Sequence, residues 1–94
     1  MKFEWDEEKA EENLRKHGVT FKEACTVFGD WNELTYYDPD HSVYEERFLT
    51  LGMTSGGKIL VVVHTSRGER IRLISARKAT KPERNNYEAG IKKE

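Results

Sequence analysis

Between residues 58 and 84 this 94-residue chain carries eight Lys or Arg against two acids, a balance of +6. Seven of these cations, Lys58, Arg67, Arg70, Arg72, Arg77, Lys81 and Arg84, are interleaved with Ser66, Ser75, Glu83 and Tyr87. That mixture suits a phosphodiester. Opening an RNA phosphodiester without a metal requires activation of a ribose 2′-hydroxyl, stabilisation of charge on the pentavalent phosphorane, and protonation of the departing 5′-oxygen. Arginine meets the second need directly, because its guanidinium grips two phosphate oxygens at once and stays charged. Glu, Lys, His or Tyr would have to exchange the protons.

Other chemistries find less support. His17, His41 and His64 fall on a predicted helix end, loop and strand, with no pair at ligand spacing, so no metal and no other cofactor is expected. The single Cys25 allows no internal disulfide, and no oxyanion loop accompanies it. Ser55-Gly56-Gly57 lacks the lysine and helix of a phosphate-binding P-loop. A net charge of −1 conceals the division between halves, since residues 1–46 hold 13 acids against 5 bases. Such asymmetry predicts a local positive surface for phosphates, while a pI near 6.3 argues against indiscriminate nucleic-acid binding. The competing explanation is a solvated pair of edge strands whose charges suppress aggregation.

These residues must be held by a small scaffold. Ninety-four residues fit one domain over 1–94. Mean hydropathy is −0.83, which predicts a thin core or a partner, but four Phe, four Tyr and two Trp with sharp periodicity predict a folded chain. No run approaches ~18 apolar residues, so a cytoplasmic protein without membrane association is expected.

Phe3 and Trp5 alternate with Glu4 in a short strand, and Asp6 caps a helix over 7–17 with Ala10 and Leu14 on its buried stripe. Thr20 and Glu23 form a capping box for a second helix carrying Phe21, Ala24, Val27 and Phe28. A strand near 33–37 leads to the turn-forming Asp38-Pro39-Asp40-His41-Ser42, and strands are expected at 47–53 and 58–63, the latter an apolar centre. Arg70 to Arg77 returns antiparallel. Thr80, Pro82 and Glu83 then start a last helix with Tyr87 and Ile91, whose tail at 91–94 is expected to fray. The order is β-α-α-β-β-β-β-α, an α+β fold with about four antiparallel strands against helices.

A turn centred between Arg67 and Gly68 would set Arg77 opposite Lys58. The register also sets Arg47 near Thr65 and Arg70 roughly 20 Å from Arg77 at ~3.4 Å per residue. The cations then divide into two clusters, and the Lys58–Arg77 end, which also receives Glu83 and Tyr87, is favoured for chemistry.

The segments FEWDEEKAEENLRKHGVTFKEA, EERFLTLG, LVVVHTSRGERIRLISARKAT and ERNNY resemble successive blocks of the BrnT family of toxins, over nearly the whole chain. The resemblance implies a RelE-like fold and a ribonuclease that blocks translation. It also implies neutralisation by a BrnA-like ribbon-helix-helix antitoxin, through which alone operator DNA would be met. By position it places Arg77, Glu83 and Tyr87 around the scissile phosphate, with Arg67 as a further catalytic candidate. Lys58, Arg47, Arg70, Arg72, Lys81 and Arg84 are the candidate RNA contacts.

Each assignment has a structural rival. Arg77 could simply pair with Glu83, whose capping role already accounts for it, and Tyr87 could be a core aromatic with a wet hydroxyl. The alternative function is a non-catalytic RNA- or protein-binding module of the same fold.

Overall fold

A computed structural model describes residues 1–92. Its elements are β1 (Lys2–Glu4), α1 (Glu7–His17), α2 (Phe21–Ala24), a 3₁₀ helix (Cys25–Gly29), β2 (Leu34–Asp38), a 3₁₀ turn (Pro39–His41), β3 (Arg47–Met53), β4 (Ile59–Arg67), β5 (Arg70–Lys78) and α3 (Lys81–Lys92). The α+β class stands. Five strands, rather than about four, form one sheet in the order β1-β5-β4-β3-β2. Since β1 runs parallel to β5, the sheet is mixed and not wholly antiparallel. Three residues are too few to reveal a pairing partner from their pattern.

The caps work as their residue types require. Asp6 accepts from the Glu8 and Lys9 amides at 2.8 and 3.2 Å, and Thr20 accepts from the Glu23 amide at 3.1 Å. The second helix tightens to 3₁₀ after Ala24 and so brings Val27 against the sheet. A Cβ on Gly52 would sit 3.1 Å from Val27 Cβ, so glycine lets this turn approach β3 closely.

Successive residues of β4 point to opposite faces. Leu60 and Val62 are fully buried with Val19, Phe21, Ala24, Val27, Leu73 and Ala76, beneath α1, α2 and the 3₁₀ helix. Val61 packs on the other face with Leu51, Ala79 and Tyr87 of α3. The apolar run at 59–63 is thus a central strand covered by helices on one side and in part, at Val61, by α3 on the other.

Asn13, not Leu14, is the buried residue of α1, and Leu14 is 48% exposed. The cause is a missing neighbour. β1 pairs only with Arg70–Arg72, which leaves the outer edge of β5 open beyond them. The Asn13 amide fills that place, donating to Ala76 O at 2.9 Å and accepting from Ala76 N at 3.0 Å, as a strand would. A further bond to Val19 O at 2.9 Å ties in the loop after α1.

Candidate functional site

The β4–β5 hairpin decides which side chains meet. Its closing pair is Arg67↔Arg70 around Gly68, whose φ of 60° favours glycine. An irregularity between Val63 and His64 then passes Ile74 without a partner. Together the turn and the bulge set Arg77 opposite Val61, correcting the expected Lys58. Lys58 lies instead beside Glu23 of α2, with Nζ 3.3 Å from the carboxylate.

Arg47↔Thr65 is found where the sequence puts it, and Thr65 in turn pairs with Arg72. Residues directly opposite share a face, so Arg47, Arg67, Arg70, Arg72 and Arg77 all belong to the face that α3 covers only in part. They form two groups. Arg77 stands next to α3, and the other four gather on the order of 15 Å away along the strands.

Between the groups lies a concavity of about 410 Å³ with Leu49, Val61, Val63 and Ile74 as its apolar floor and Asp38, His41, Arg47, Ser75 and Arg77 as its polar rim. At the far end Glu45 lies 3.6 Å from both Arg47 and Arg67. Arg72 is held by Glu4 at 2.6 Å. Arg47 Nε is buried with no hydrogen-bond partner.

Arg77 is gripped by Glu83 through a two-pronged bond, Nη1 to Oε1 at 2.7 Å and Nη2 to Oε2 at 2.9 Å. Glu83 Oε1 also accepts the Thr80 amide at 2.8 Å, so the capping box and the ion pair coexist on one carboxylate. The bonds from Arg77, reinforced by those from Thr80, hold Glu83 down at about 2. A carboxylate so stabilised is a poor proton carrier near neutrality, and its chemical effect is to aim Arg77.

Tyr87 is not at the concavity. It is 2% exposed, and its hydroxyl donates 2.5 Å to Asp30. Burial, and then the Asp30 carboxylate, push the phenol up to about 12. Asp30 also accepts the Met53 and Asn32 amides at 2.8 and 2.9 Å, and these bonds outweigh burial to lower its own pKa. Tyr87 therefore locks α3 onto the loop before β2. Arg84 caps the Ala79 carbonyl at 3.1 Å, and Lys81 is exposed in the first turn of α3.

His41 gains a partner only in the fold. Its Nδ1 lies 2.9 Å from Asp38 Oδ2, on the rim that also carries Arg47 and Arg77. His64, by contrast, faces the helical core. It bonds Thr50 Oγ1 at 2.7 Å between Phe28 and Phe48, and burial lowers it to about 4. Among the described residues no trio of His, Cys, Asp or Glu is gathered for a metal, and no helix is long and apolar enough to cross a membrane.

A family model described as the ribonuclease toxin BrnT of type II toxin–antitoxin systems matches residues 5–83. The fold is similar to the crystal structure of the Brucella abortus ribonuclease toxin BrnT, with a TM-score of 0.63 and 27% identity. The match covers 86% of this chain and 99% of that one. No curated protein matches the chain significantly. The matched span takes in β2 to β5 and the start of α3, including both Arg77 and Glu83.

Proposed function

This chain belongs to the BrnT family of ribonuclease toxins of type II toxin–antitoxin systems, and we propose that it cleaves RNA on the open face of its sheet, without a metal, by attack of a ribose 2′-hydroxyl on the adjacent phosphate. One observation carries this. Arg77 and Arg47 stand at opposite ends of a single apolar-floored concavity, a spacing that lets one strand of RNA lie across the sheet with cations at both ends. The half-buried Leu49, Val63 and Ile74 beneath a base would exclude water from the phosphate and so strengthen the arginine contact.

Arg77 serves as the phosphorane clamp. Its guanidinium is prealigned by Glu83, so little reorganisation is needed when charge develops on the phosphorus. Arg67, Arg70 and Arg72 extend the track for the neighbouring phosphates. Lys81 and Arg84 flank Glu83 in the first turn of α3 and add positive potential at that end. Cleavage of messenger RNA would block translation and arrest growth.

The family implies an antitoxin partner and an RNA substrate. A BrnA-like ribbon-helix-helix antitoxin would cover the open face with acidic groups, matching five arginines with complementary charge. Operator DNA would be contacted through that partner alone.

The test uses the chain freed of its partner and single-stranded RNA in EDTA. Fragments ending in a 2′,3′-cyclic phosphate with a 5′-hydroxyl on the downstream piece are expected. RNA that is retarded in a gel but never shortened would favour the binding module instead.

A further inference from the structure

Pro39 fixes the backbone at the start of the 3₁₀ turn, and in a 3₁₀ turn side chains three apart eclipse one another. Asp38 and His41 therefore stand on one side of it. The turn is bolted to the sheet, because Ser42 Oγ donates to the Asp38 carbonyl and accepts the Arg47 amide at 2.9 Å. Asp38 itself pairs with Arg47 across β2 and β3.

The two side chains differ sharply in exposure, 14% for Asp38 and 69% for His41. An ionised carboxylate only accepts hydrogen bonds, so a neutral imidazole held there carries its proton on Nδ1 and leaves Nε2 with a lone pair. A half-buried acid thus orients an exposed base. Arg47 and Arg77 share its concavity, while Asp40, Tyr44 and Glu45 border a second hollow on its other side.

We propose that His41, oriented by Asp38, is the general base of the cleavage reaction, an inference that rests on the RNA-cleaving assignment above. Nε2 takes the proton of the ribose 2′-hydroxyl as the 2′-oxygen bonds to phosphorus. The bond from phosphorus to the 5′-oxygen breaks, and that oxygen takes a proton from solvent water. The products are a 2′,3′-cyclic phosphate and a 5′-hydroxyl, and His41 returns its proton to solvent. Asp38 is a positioning residue that fixes the tautomer and the ring.

His41→Asn separates this role from a mere loop brace. The asparagine amide can still donate to Asp38, but it has no basic nitrogen. Cleavage of a single-stranded RNA, with and without ribosomes, is measured against pH, and binding is measured with a 2′-O-methyl RNA that cannot react. A fall in kcat of about 100-fold or more is expected, with binding within threefold and the acid limb of the pH–rate profile abolished. Asp38→Asn should lower kcat less, while retaining binding. Wild-type kcat and an intact acid limb in His41→Asn would overturn the proposal, and if Arg77→Ala then lost activity the cleaving face would stand with its base elsewhere. A wild-type chain inert under both conditions would remove the assignment beneath the proposal too.

Discussion

The two faces of this sheet use the same residue types for opposite ends. On the helical face, Asn13 is sealed in against Ala76 and His64 against Thr50. On the open face, α3 closes only the end near Ala79 and Tyr87, leaving Arg47, Arg77 and His41 around a hollow. The histidines make the contrast sharpest. His64 is kept neutral by burial and braces the core, whereas His41 is exposed and faces its carboxylate. A hydrogen-bonded histidine becomes chemically useful only where a substrate can reach its second nitrogen.

Mutations should divide along this line, with activity lost from one face and stability from the other. The largest effect belongs to Arg77→Ala, for which RNA cleavage should drop by about 10²–10³-fold, as for loss of a single transition-state donor. Its thermal midpoint should move little, because the half-exposed side chain leaves no core cavity. Arg77→Lys should fall between, since lysine retains charge but loses the fork. Wild-type cleavage by Arg77→Ala would detach this residue from the site.

His64 supplies the next effect. Its pKa is about 4 when folded against 6.5 for the free side chain, so the unfolded chain binds a proton that the folded one refuses. The stabilisation is complete above pH 6.5 and is lost as pH falls towards 4, amounting to about 3 kcal/mol. Denaturant melts of wild type and His64→Gln across this range should converge at low pH, and parallel curves would contradict the assignment.

Much of this contrast was legible in the sequence, though not all of it. The bounds of α1 and β3, the central apolar run, the Thr80–Glu83 capping box and the Arg47↔Thr65 pairing follow from local pattern. Pairing at a distance does not. A single unpartnered Ile74 and a different turn closure moved Arg77 three residues along β4, a slip that composition does not signal. In the sequence Asp38-Pro39-Asp40-His41 spells only a turn, and the 3₁₀ geometry is what makes its ends meet. Tyr87 looked wet because its partner, Asp30, is 57 residues away in the chain.

Two smaller effects sharpen the division. Asn13→Ala leaves the buried Ala76 amide and carbonyl without partners and should cost about 2 kcal/mol of stability. Cleavage measured well below its melting temperature should remain near wild type, and a selective loss of rate would blur the two faces. Lys58→Ala removes only an exposed ion pair with Glu23 and should change stability by about 0.5 kcal/mol or less. A larger loss in a urea melt would show that this pair helps hold α2.

The most direct test compares two double variants that remove equal charge from opposite faces, Arg47→Ala with Arg77→Ala and Lys16→Ala with Lys58→Ala. The measurement is kcat/KM for single-stranded RNA at one salt concentration, where the change in net charge is the same for both. The open-face pair should lose at least about 100-fold, while the helical-face pair stays within threefold of wild type. Equal losses, or a greater loss from the helical face, would contradict the claim that RNA is cleaved on the open side of the sheet.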